Sequence, residues 1–174
     1  MTLCSRRWTV IVTTFFGALV LAWPALHHPV ARIIYNPSDS APRGWYRASS
    51  SGVLHVGGFV LALLSTETAA LAAERHYLPE GIPLLKRIGA MSPQTVCVQD
   101  RIVSIDGVPS ATALMADWVG RRLPVWSQCR RLHDGELFLL SATNSASFDS
   151  RYFGPVSTSA VIGIATPLGT WSTP

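Results

Sequence analysis

The sequence predicts a mainly antiparallel β body with a short helical insertion, preceded by one N-terminal transmembrane helix. Three observations lead there. Residues 8–26 contain no charged residue and are rich in large apolar groups. The rest of the chain breaks into short apolar runs of strand length, punctuated by Gly and Pro. One stretch, residues 66–77, contains Ala and Glu with no Gly or Pro and reads as a helix.

A helix of about 20 apolar residues crosses a bilayer core. Arg6 and Arg7 before the run favour a cytoplasmic N-terminus. Trp8 and Trp23 near its ends suit the two membrane interfaces. Residues 1–28 are therefore expected to form the cytoplasmic terminus and anchor, and residues 29–174 an extracytoplasmic domain. The alternative is a cleaved signal peptide, whose apolar core is normally about 7–15 residues. Either way the body lies outside the cytoplasm.

The turn-formers of residues 35–44 predict a loop, and residues 44–47 an extended segment. Residues 59–64 form an apolar run of buried-strand type. The helix over 66–77 is expected to be capped by Thr66 and ended by Pro79, Gly81 and Pro83. Strands follow at 84–88, 96–98 and 101–105, with Asp106-Gly107 as a two-residue hairpin turn. The late strands are 136–140 and 159–164.

Charged residues make up only 14% of the chain, against about 25% in ordinary soluble domains. The net charge of +4 comes from scattered residues rather than from a basic block interleaved with aromatics. No nucleic-acid partner is expected, and a basic chain suits anionic lipid headgroups. Cys4 precedes the body, which holds Cys97 and Cys129. In an exported body that pair reads as one disulfide; two buried thiols are the alternative.

Five histidines, His27, His28, His55, His76 and His133, are scattered, and neither G-x-S-x-G nor H-E-x-x-H occurs. A histidine triad and a metal centre thus lack support. Lys86 is the only lysine and lies in the apolar stretch 82–88. Composition alone favours an ordinary strand lysine whose ammonium reaches solvent. The other reading is a desolvated amine with a lowered pKa, able to act as a base.

Three segments, in order, resemble those of bacterial signal peptidase I. Pro37-Ser38-Asp39-Ser40 resembles the P-S-x-S segment of the nucleophile. Leu85-Lys86-Arg87-Ile88 resembles the strand of the base lysine. Residues 147–154, reading S-F-D-S-R-Y-F-G, are similar to that family's S-x-D-S-R-Y-W-G box, with a V-I-G strand at 161–163 behind it. The resemblance implies a signal-peptidase-like fold with Ser40 as nucleophile and Lys86 as general base. It implies Ser38 and the Ser40 N–H as oxyanion donors, Ser147 as hydrogen-bond partner of the lysine, and Asp149 and Arg151 as supports. No cofactor or metal is implied. Ser40 and Lys86 are expected within hydrogen-bond reach, or nearly so without substrate.

The chain departs from signal peptidase I in having Ala41 after the serine, residues 141–146 in place of a G-D-N-R-D-N stretch, one anchor and a short body. Ser40, Pro42, Gly44 and Tyr46, and the segment 71–79 ahead of 83–87, resemble instead the TraF-type peptidases of conjugative transfer systems. Members of that family also carry two body cysteines. This resemblance implies a single-pass protein of the bacterial inner membrane with its peptidase domain in the periplasm. Its expected partners are a pilin precursor, inner-membrane lipid and the conjugative transfer machinery. Its acyl-enzyme can pass to water or to the pilin N-terminus, which closes a ring. The rivals are a general signal peptidase releasing exported proteins and a non-enzymatic bitopic subunit of a secretion channel. Ser40 follows Leu26 by fourteen residues, so it is expected near the outer membrane face. Ala41, Pro42, Phe59 and Val60 are the expected walls of a substrate groove.

Overall fold

The structure, a computed structural model, describes residues 3–26 and 33–171. His27 and His28 lie outside the described residues. The chain splits into two compact units, Met1–Ala31 and Arg32–Pro174. In the first, α1 (Leu3–Leu26) is a 24-residue helix, about 36 Å long at the usual rise. Its side chains Trp8, Val10, Ile11, Val12, Phe15, Phe16, Leu19, Val20 and Trp23 are exposed. Among the described residues, however, no helix is long and apolar enough to cross a membrane. The expected helix is present, but Arg6 and Arg7 lie within it and Thr9, Thr13, Thr14 and Gly17 dilute its apolar character.

The second unit is mainly β, as expected. Its strands are β1 (Ile33–Asn36), β2 (Arg43–Ser49), β3 (Phe59–Ala62), β4 (Leu84–Met91), β5 (Thr95–Gln99), β6 (Ile102–Ile105), β7 (Val108–Thr112), β8 (Cys129–Arg131), β9 (Glu136–Leu140), β10 (Val156–Ser157) and β11 (Val161–Trp171). Two short helices interrupt them, α2 (Thr66–Glu74) and α3 (Ser150–Phe153). One sheet runs β1-β2-β11-β3-β4-β9-β10 and a second β7-β6-β5-β8. Every strand pair is antiparallel.

The helical insertion is α2, placed between β3 and β4. Its cap is Ser65, whose side chain accepts from the Thr68 N–H, and not Thr66. It ends at Glu74, short of Tyr77, because His76 adopts φ 58°. The Asp106-Gly107 turn links β6 and β7 with both residues at positive φ, the geometry such two-residue hairpins require. Asp100-Arg101 does the same between β5 and β6 without glycine. The last strand begins at Val161, and residues 158–160 form a 3-10 turn.

Strand β4 lies inside the large sheet, paired with β3 on one side and β9 on the other. Leu84, Leu85, Lys86, Ile88 and Ala90 are all buried. Leu85 joins a core with Ala41, Tyr46, Ala48, Leu61 and Ala165. Ile88 joins another with Val60, Ala62, Leu137 and Leu139. A third core, with Val96, Val98, Val103 and Phe138, lies between the sheets. Cys97 and Cys129 are directly opposed on β5 and β8 and form a disulfide.

Candidate active site

Lys86 is placed by strand pairing. It lies directly opposite Val60 on β3, and the pleat puts Ile88 on the same face. With β4 covered on both edges, the lysine is only 1% exposed, so the solvent-reaching alternative fails. Its Nζ donates to Ser147 Oγ. Burial pushes the Lys86 ammonium down from its ordinary 10.5 to about 8, against an opposing pull from Asp149 and with a smaller push from Arg151.

Ser147 is held from behind by the box that contains it. Asp149 caps α3 by accepting the Arg151 N–H. The Arg151 guanidinium clasps both Asp149 oxygens, at 2.7 and 2.8 Å. Its other N–H groups donate to the carbonyls of Thr112, Ser145 and Ser147, so all five donors of the fork are used. Both side chains are almost wholly buried. Burial works against the guanidinium, but the Asp149 hydrogen bonds and charge outweigh it and raise its pKa above the ordinary value. Asp149 also accepts from the Ser141 N–H at 2.9 Å. The buried pair thus ties together the segments on both sides of Ser147.

Ser40 sits on the turn between β1 and β2. Its Oγ lies 3.0 Å from Ser38 Oγ, and its carbonyl accepts from Ser141 Oγ at 2.9 Å and the Ala142 N–H at 3.0 Å. Thr143 Oγ1 donates to the Asp39 carbonyl, and Arg43 pairs with the Asp39 carboxylate at 2.6 Å. Tyr46, buried on β2, donates its hydroxyl to the Pro42 carbonyl at 2.6 Å. The serine turn and residues 141–143 are therefore stitched together, and residues 141–151 carry the network on to Lys86. A loop held at this many points keeps the Ser40 side chain in a defined place.

The structure joins the predicted residues as three pairs, Ser38 with Ser40, Lys86 with Ser147 and Asp149 with Arg151, the last also bonded to the Ser147 carbonyl. No hydrogen bond links Ser40 to Lys86 among the described residues; Ser40 Oγ instead lies within hydrogen-bond distance of Ser38 Oγ. Of the expected groove walls, Ala41 and Val60 are buried in the cores on either side; only Phe59 and Pro42 keep partial exposure. Asn36, Ser141 and Thr143 join this network without any sequence motif that marks them. An Asn-Pro turn start and hydroxyls just after a strand were the available signals, and neither points to a distant loop as partner.

The model of the family described as signal peptidase, peptidase S26, matches residues 5–169. A plasmid transfer protein TraF of Escherichia coli is 30% identical over 95% of this chain and 98% of its own length. A second such protein from Escherichia coli is 33% identical over 78% of this chain and 82% of its own. A conjugal transfer protein TraF of Agrobacterium tumefaciens is 35% identical over 78% and 81% respectively.

Proposed function

The chain belongs to the signal peptidase family, peptidase S26, and from that premise we propose that it is a serine endopeptidase with Ser40 as nucleophile and Lys86 as general base. The observation that carries this reading is the state of the only lysine: buried, bonded to Ser147, and with a pKa lowered to about 8. A neutral amine can accept the Ser40 proton, which an ordinary ammonium cannot.

In the proposed reaction Ser40 turns from Ser38 toward Lys86 and attacks the scissile carbonyl carbon. Lys86 takes the hydroxyl proton, and the carbonyl oxygen takes the negative charge. The Ser40 N–H is the proposed donor to that oxyanion, joined by the Ser38 hydroxyl once its proton leaves Asn36 Oδ1, to which it is bonded at 2.8 Å before substrate arrives. Collapse of the intermediate expels the amine, which receives the proton from Lys86, and leaves an acyl-Ser40 ester. Water then attacks the ester while Lys86 takes a water proton; the bond from the acyl carbon to Ser40 Oγ breaks, the cleaved peptide leaves as its acid, and Lys86 returns the proton to Ser40. A tethered peptide N-terminus attacking in place of water joins the chain into a ring. Ser147 orients the amine throughout, while Asp149 and Arg151 hold Ser147.

The names of the TraF relatives, from plasmid and conjugal transfer, support a place in conjugative transfer, and a pilin precursor is the proposed substrate. The exposed apolar side chains of α1 between Trp8 and Trp23 support contact with inner-membrane lipid, with the peptidase unit on the periplasmic side. The disulfide fits that compartment. The test is to mix this protein with a pilin precursor and weigh the products. Loss of a terminal segment supports the reading, and a product one water lighter than the trimmed chain identifies ring closure. An unchanged precursor alongside cleaved general secretory precursors would assign the broader signal-peptidase role instead.

A further inference from the structure

Asn36, the last residue of β1, is polar yet only 6% exposed. The two protons of its Nδ2 are shared among three carbonyls, those of Ser38 at 3.0 Å, Ala41 at 3.0 Å and Pro42 at 3.2 Å, so that one proton is bifurcated. Its Oδ1 accepts from the Ser38 N–H at 3.1 Å and from Ser38 Oγ at 2.8 Å. Three carbonyls around one end and an N–H at the other leave a single sensible orientation for the amide.

That orientation decides where the serine protons lie. Oδ1 can only accept, so the Ser38 hydroxyl donates to it. A hydroxyl has one proton. Ser38 Oγ therefore offers only lone pairs to Ser40, and the 3.0 Å contact between the serines runs from the Ser40 hydroxyl to Ser38. The same amide closes the turn that carries Ser40 by gathering its carbonyls.

We propose that Asn36 is a positioning residue for the nucleophile: by gathering the carbonyls of the turn of residues 38–42 and fastening Ser38, it fixes where Ser40 Oγ lies, from which the hydroxyl swings from its resting contact with Ser38 toward Lys86. This deepens the Ser40–Lys86 reading and rests on it. Apolar replacements leave the turn carbonyls without their donor. Aspartate keeps the size and the acceptor but sets a carboxylate against three carbonyls.

The experiment follows acylation by p-nitrophenyl acetate in the wild-type, Asn36→Asp, Asn36→Ala, Ser38→Ala and Asn36→Ala/Ser38→Ala proteins. In this reaction the acetyl group bonds to Ser40 Oγ, p-nitrophenolate leaves and Lys86 takes the proton. Each Asn36 variant is expected to lose about 100-fold in the limiting acylation rate, the scale set by misplacing a reacting group by about an ångström. The apparent dissociation constant should stay within about twofold and the pH midpoint near that of the wild type, because Asn36 does not touch Lys86. The Asn36→Ala loss should shrink to about tenfold or less in the Ser38→Ala background, as coupled residues do. A loss below about threefold, a shifted midpoint, or an undiminished loss in that background would overturn the proposal. Amide exchange provides a readout independent of catalysis, since Asn36→Ala should speed exchange of the Ser38 N–H at least about tenfold. Unchanged exchange overturns the positioning role even if the enzyme is active. Faster exchange in Asn36→Ala, together with a wild-type protein that never acylates at Ser40, upholds the fastening and defeats the peptidase reading.

Discussion

Replacing Lys86 by Met should abolish activity and make the protein more stable. The Lys86 pKa falls from 10.5 to about 8 on folding, mainly through burial, a drop that corresponds to about 3 kcal/mol. A cation with a lowered folded pKa binds its proton less tightly in the native state than in the unfolded one. Stability is therefore lowest below pH 8, rises between 8 and 10.5, and levels above. At pH 7 the lysine is charged in both states and the native state bears the full cost. Methionine keeps the length and removes the charge, at the loss of a Ser147 hydrogen bond of about 1 kcal/mol. The expected gain at pH 7 is about 2 kcal/mol. Urea unfolding of wild-type and Lys86→Met proteins with the disulfide intact, at pH 7 and pH 10, measures it. The difference between the two proteins should shrink with rising pH, and tyrosine titration cancels in that difference. A Met variant less stable at pH 7, or a difference independent of pH, would refute the desolvation argument.

Further outcomes follow from the same network. Ser147→Ala frees the Lys86 amine and should lower the acylation rate about 10–100-fold while leaving the fold intact; rapid-mixing kinetics and circular dichroism check the two halves. Asp149→Asn leaves the buried Arg151 charge uncompensated and should cost about 3–5 kcal/mol in denaturant unfolding. Removing the Cys97–Cys129 bond, which closes a loop with sequence separation 32, should cost about 3–4 kcal/mol in the chain-entropy account. Unfolding of the Cys97→Ser/Cys129→Ser protein measures it. Lys86→Arg should be inactive at every pH from 6 to 9, because a guanidinium holds its proton throughout.

Those parts of the fold written in local patterns were legible beforehand. The alternating and apolar runs of β3, β4, β6 and β9, the Asp106-Gly107 turn and the existence of α2 all depend on nearby residues. What escaped depends on tertiary partners. Strands β1, β7 and β8 are short or lack a buried face and exist because a neighbouring strand pairs with them. Strand β11 runs to Trp171 because β2 pairs with it as far as Arg43. At the site, Lys86 was conspicuous as the only lysine, but its burial was not readable, since it depends on β3 and β9 covering both edges of β4. Asp149 and Arg151 could be named from the box. That the guanidinium reaches the Thr112 carbonyl belongs to three-dimensional packing. Asn36 escaped because its partners are mainly backbone carbonyls, which leave no mark in the sequence.

The account stands most directly on one measurement: peptide mapping by mass spectrometry of the protein after brief exposure to p-nitrophenyl acetate, across pH 6 to 10. The expected result is a single acetyl group on Ser40, formed about tenfold faster per pH unit below 8 and at a constant rate above it. The same adduct should be absent from Ser40→Ala and from Lys86→Met. Acetylation elsewhere in preference to Ser40, an unreduced rate in Lys86→Met, or a break near the ordinary lysine pKa would contradict a Ser40 nucleophile served by a buried Lys86 base.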